Sequence, residues 1–86
     1  MRRQPGGWMQ LPVDHRILEA LAHTGMELTP SVIARDISYD RKYVNTRLGE
    51  LAEKGFVDRV DRGWYAITAE GRAYLNGEVD ASEIPD

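Results

Sequence analysis

The sequence predicts a small, mainly helical α+β domain: three helices, a two-stranded hairpin and a closing helix. Three observations carry that prediction. Apolar residues recur at helical spacing in the first half of the chain. Two strong helix starts, Thr29-Pro30 and Asp40, stand one short helix apart. A short alternating stretch, 56–60, runs into Asp61-Arg62-Gly63, which reads as a turn.

Residues 1–11 read as an N-terminal arm. Arg2 and Arg3 are exposed charge, and Pro5-Gly6-Gly7 breaks any regular element. Trp8, Met9 and Leu11 are apolar and need cover. Two destinations stay open for them, the domain's own core or a partner subunit, because so short a chain offers little interior for an extra Trp.

The domain itself is expected over 12–77. A first helix spans 13–23, with Val13, Ile17, Leu18 and Leu21 at helical spacing and Gly25 as its stop. Asp14 falls in its first turn, where a negative charge suits the helix dipole. Thr29-Pro30-Ser31 opens a second, short helix: Thr29 caps free amides, and Pro30 loses nothing by lacking an N–H. Val32, Ile33 and Ile37 are expected to face inward. About three residues, 37–39, separate this helix from the next over 40–54, which forces a sharp crossing. Asp40 caps that third helix, and Val44, Leu48 and Leu51 form its apolar stripe. Strands at 56–60 and 64–67 form the hairpin; Trp64 and Tyr65 point to opposite faces, one inward and one outward. Thr68 caps a last helix carrying Tyr74 and Leu75. Residues 78–86 are acidic, contain Pro85 and are expected to fray.

Composition excludes several function classes. Eighty-six residues are room for one domain, and a deep cleft between lobes is not expected. The absence of cysteine removes disulfides, Cys-ligated zinc and thiol catalysis. The apolar runs are far too short for a membrane span, and no export signal opens the chain, so a cytoplasmic location is expected. His15 and His23 lie eight residues apart, which is not a zinc-ligand spacing. No Ser–His–Asp set, phosphate loop or carboxylate pair stands out, so neither an enzyme, a metal, a cofactor nor a small-molecule ligand is expected. The net charge of −3 is unevenly placed: Glu78, Asp80, Glu83 and Asp86 give the last nine residues −4 and leave the body at +1. Arg outnumbers Lys nine to two, and Lys occurs only at 42 and 54. Low lysine with a pI near 5.3 fits a salt-adapted proteome, and equally a GC-rich genome.

Two helices crossing at a tight turn, then a hairpin, make a winged helix-turn-helix. Its third helix suits the major groove of DNA, about 12 Å wide, which admits one α-helix. With the stripe turned inward, the opposite face carries Lys42, Asn45, Thr46 and Gly49, flanked by Tyr43 and Arg47, with Arg41 in the first turn. No acid occurs on this face before Glu50. Arg and Asn bind guanine and adenine edges in bidentate fashion, whereas Lys42 suits phosphate. Arg62 at the wing tip and Arg59 are the wing candidates, with Asp58 and Asp61 diluting their charge. Ser31, beside a helix start, offers a hydroxyl and amides to a phosphate. The competing reading of these residues is a solvated helix face on a winged helix that docks protein without touching DNA.

The run Ile33-Ala34-Arg35-Asp36-Ile37-Ser38-Tyr39-Asp40, then Val44 and Leu48-Gly49-Glu50-Leu51-Ala52-Glu53-Lys54-Gly55-Phe56-Val57, resembles MarR-like prokaryotic winged-helix repressors. So does the junction Tyr65-Ala66-Ile67-Thr68-Ala69-Glu70-Gly71. The Trp8-Met9 arm, the opening from Asp14 to Glu19 and the ending from Gly71 to Glu78 are similar to small haloarchaeal proteins of the halophage-repressor type. The likeness spans residues 8–80. It implies a transcriptional repressor that binds double-stranded DNA as a symmetric dimer. Family groove contacts fall on Arg41, Lys42, Tyr43, Asn45, Thr46 and Arg47, and wing contacts on Arg62. One departure is Ser38, where many relatives carry Gly in the turn. A homodimer also follows from half-site arithmetic, since one small module covers about one half-site. Its expected surface is Trp8, Met9 and Leu11 with Tyr74 and Leu75.

Overall fold

The computed structural model describes residues 7–81. The expected contributions of Arg2, Arg3, Glu83, Pro85 and Asp86 lie outside the described residues. The element order is α1 (Val13–Thr24), α2 (Pro30–Ile37), α3 (Arg41–Glu53), β1 (Val57–Asp61), β2 (Trp64–Ile67) and α4 (Ala69–Leu75). This is a mainly helical winged helix-turn-helix.

Local signals explain most element ends. The Thr29 side chain accepts from the Val32 amide, Asp40 from Tyr43 and Thr68 from Gly71, each satisfying a donor that a helix start leaves open. Gly25 ends α1 in the left-handed region at φ 66°. Ser38 does the same for α2 at φ 63°, without the freedom of glycine. The Ser38 and Tyr39 amides both donate to the Ala34 carbonyl, which holds the turn in that conformation.

β1 and β2 pair antiparallel, with Asp61 opposite Trp64 across Arg62-Gly63. The register shifts between Arg59 and Asp61, so Val60 is bulged. Trp64 is exposed and Tyr65 buried, one on each face as the alternation requires. A third partner is not foreseen by the sequence. Leu28, in the loop after α1, exchanges both backbone hydrogen bonds with Tyr65 at 2.8 Å, tying that loop to the wing.

The core is one cluster that includes Ile17, Leu18 and Leu21 of α1, Ile33 of α2, Val44, Leu48 and Leu51 of α3, and Phe56, Val57, Tyr65 and Tyr74. Several expectations are corrected here. Trp8 and Met9 are each only 7% exposed and belong to this core, not to an open dimer surface. The end of the arm folds back onto this core. The Trp8 ring packs on Phe56, with centroids 5.8 Å apart, and the Lys54 ammonium sits 5.5 Å from its centroid. Tyr74 is fully buried between Phe56 and His15, and its hydroxyl bonds the His15 ring, so it offers no surface to a partner. Residues 78–81 do not simply fray: Ala81 is fully buried against the core. Val32 points outward, and Ala34 takes the inward place beside Ile33, because a helix of eight residues presents a narrow face.

Gly71 marks a close approach of α4 to the wing. A Cβ there would lie 2.3 Å from the Phe56 carbonyl oxygen and 2.8 Å from Ile67 Cγ1. Gly→Ala inside a helix ordinarily stabilises by about 1 kcal/mol. At Gly71 the opposite is expected, a loss of about 1–3 kcal/mol from overpacking against backbone. Urea unfolding of Gly71→Ala checks the sign, and a gain would mean that α4 shifts at little cost.

Candidate nucleic-acid interface

α3 begins at the Asp40 cap and lies across α2 at the tight turn. Its stripe of Val44, Leu48 and Leu51 is buried, which fixes the opposite face outward. Arg41, Lys42, Tyr43, Asn45, Thr46 and Gly49 are all exposed. Nothing within 4 Å would meet a Cβ at Gly49, so this face is open along its length. The Thr46 hydroxyl donates to the Lys42 carbonyl at 3.1 Å, so its hydrogen is spent within the helix. Its methyl and its acceptor lone pairs still face out. Asn45 carries a carbonyl and an amide, the pair needed to read one base edge. Tyr43 stands beside Tyr39, with rings 6.4 Å apart, forming an aromatic corner next to Lys42. Tyr39 was not among the expected site residues; its signal is the i, i+4 spacing to Tyr43 across the helix start.

Ser31 is exposed at the start of α2, where the first backbone amides of the helix lack intrahelical partners. Arg59 and Arg62 are exposed on the wing. The Asp61 carboxylate accepts from the Arg62 backbone N–H at 2.7 Å, which fixes the turn that carries the Arg62 side chain.

Arg47 is a correction. The sequence places it at the flank of the outward face, and the structure turns it inward, leaving it 9% exposed. Its Nε donates to Asp14 Oδ1 at 2.9 Å and its Nη2 to Asp14 Oδ2 at 2.8 Å. Nη2 also donates to the Trp8 carbonyl at 3.1 Å. Asp14 is fully buried and also accepts from the Gln10 amide at 3.0 Å. The first-turn aspartate of α1 is therefore an interior partner and not merely a complement to the helix dipole. The hydrogen bond to Asp14 holds the Arg47 guanidinium above its ordinary pKa, against the opposing effect of burial. A signal for this existed in the spacing: Arg47 lies one turn before Leu51, about 40° from it around the helix.

Of the five residues expected at a dimer surface, Leu11 is 48% exposed and Leu75 half-buried, while Trp8, Met9 and Tyr74 lie inside. Two surface depressions of about 250 and 400 Å³ lie between α1 and α2 and share His23 and Asp36. Neither is lined by a residue of α3 or the wing. Among the described residues no cluster of three or more His, Asp or Glu is placed to hold a metal ion. No helix among them is long and apolar enough to cross a membrane.

A family model described as "Winged helix-turn-helix phage repressor" matches residues 1–86. The chain belongs to this family. Winged helix-turn-helix phage repressors are regulators of transcription and not enzymes. The chain is 31% identical over 81 residues to a repressor protein of Halobacterium phage phiH, covering 90% of each sequence. Its fold is similar to the crystal structure of the PhiH1 repressor-like protein from Haloarcula marismortui. There the TM-score is 0.87 and the identity 37%, over 98% of this chain and 96% of that one. The scarcity of lysine agrees with relatives drawn from salt-loving archaea and their phages.

Proposed function

We propose that this repressor-family chain binds double-stranded DNA sequence-specifically as a homodimer. α3 reads the major groove, and the wing contacts the backbone or the adjacent minor groove. One observation carries the reading: the outward face of α3 is open, polar and basic from Arg41 to Gly49, with no acid before Glu50. Arg41, Asn45 and Thr46 read base edges, and Lys42 meets phosphate. Tyr43 supports that face at its rim. Ser31, Arg59 and Arg62 supply phosphate or minor-groove contacts that fix the register. Repression follows from occupancy of the operator. A homodimer supplies the second half-site, and Leu11 is the expected member of its surface that stands exposed.

Selection of bound duplexes from a random pool, at low and at multimolar salt, tests this. The expected result is a two-fold symmetric motif with half-sites about 10 base pairs apart. No enriched motif, combined with tight binding to a protein, would favour the docking alternative. Replacing Asn45 and Thr46 together by Ala is expected to relax the motif while changing stability by less than about 1 kcal/mol. An unchanged motif would remove these two residues from the readout.

Gly49→Ala separates groove insertion from a solvated face. The added methyl meets nothing in the free protein and is expected to stabilise it by about 1 kcal/mol. Duplex affinity is expected to fall, since the methyl stands where the helix approaches the groove floor. Unchanged affinity in a titration would put Gly49 away from DNA.

A further inference from the structure

We infer that Arg47, through Asp14, is a positioning residue that sets the rotation of α3 about its own axis and so selects which side chains face DNA. This rests on the duplex-binding reading above and deepens it.

The stripe that packs α3 is wholly aliphatic: Val44, Leu48 and Leu51. Hydrophobic burial is non-directional, and aliphatic packing tolerates modest rearrangement. Side-chain ends stand about 6 Å from a helix axis, so a rotation of 20° moves them by about 2 Å. A bidentate base contact does not survive a displacement of that size. The Arg47–Asp14 fork is directional where the stripe is not. Two parallel hydrogen bonds, at 2.9 and 2.8 Å, pin α3 to α1, and a third at 3.1 Å pins it to the arm at the Trp8 carbonyl. On the α1 side Asp14 is fully buried and is held in turn by the Gln10 amide. Buried ion pairs add little net stability over apolar residues of similar volume. The distinctive effect of this one is a defined angle between α3 and the body that carries it.

The test compares the unsubstituted chain with the double variant Asp14→Leu/Arg47→Met, which replaces the pair by apolar volume. Melting temperature, the ratio of affinities for selected and unrelated duplexes, and the salt dependence of binding are measured. The expected result is a folded protein whose melting temperature changes by only a few degrees, a specificity ratio reduced by about tenfold or more, and an unchanged salt slope. An unchanged ratio in the folded double variant overturns the inference and leaves the pair purely structural. A salt slope shallower by about 0.9 overturns it differently, by making Arg47 a direct phosphate contact. If the double variant does not fold, Arg47→Lys takes its place. It keeps the charge but loses the fork, and a folded Arg47→Lys protein with full specificity overturns the inference. Failure of the unsubstituted chain to enrich any duplex overturns the duplex-binding reading itself, and this inference with it.

Discussion

Replacing Arg47 by Ala is expected to cost about 3–5 kcal/mol of folding stability, because it leaves a buried carboxylate unpaired. The magnitude follows from what remains. Asp14 would keep its Gln10 amide donor and lose both guanidinium donors, with no exposure to water in compensation. The Trp8 carbonyl would lose a donor at the same time. A domain of this size holds on the order of 5–15 kcal/mol in total, so the variant sits near the edge of folding. Urea unfolding with and without the substitution measures the loss. A value below about 1 kcal/mol would show that water reaches Asp14 and that the pair behaves as a surface one. The proton-linked stability of Arg47 has a definite sign. Its folded pKa is raised, so that contribution is fully present below the ordinary guanidinium value and is lost only as pH rises through the folded value. The arginine side of the pair is therefore constant across the neutral range.

Trp8→Ala is expected to lower stability by a similar amount, about 3–5 kcal/mol, by opening a cavity over Phe56. The association state of the folded protein is expected to stay as it is, since the ring is buried within its own chain. Unfolding and sedimentation of the same variant decide between the two roles that the sequence leaves open for the arm. A shift from dimer to monomer with unchanged stability would put Trp8 at a subunit contact instead. The ring nitrogen sharpens the prediction. Trp8 Nε1 is buried without a hydrogen-bond partner among the described residues. Such a donor costs about 1–3 kcal/mol. Trp8→Phe, which removes that donor and keeps most of the ring, is therefore expected to lose much less than Trp8→Ala.

These two sites also mark where sequence reasoning stops. The order of elements, the caps at Thr29, Asp40 and Thr68, the stop at Gly25 and the stripe of α3 were all legible in the chain. Each depends on residues within one or two turns, whose backbone donors and φ preferences act locally. The outward face of α3 was legible for the same reason: once Val44, Leu48 and Leu51 are buried, helical geometry leaves Lys42, Asn45 and Thr46 no inward place.

By itself, then, the amino-acid order determined the elements, their ends and the polar outward face of α3, through forces that act over a few residues. Tertiary structure alone decided that Arg47 turns inward to Asp14, 33 residues away, and that Trp8, Tyr74 and Ala81 close the core. A residue at the edge of a stripe faces either way on local grounds. Its fate is settled by whether a partner from a distant segment waits inside, because a charge buried without a partner costs far more than one buried with it.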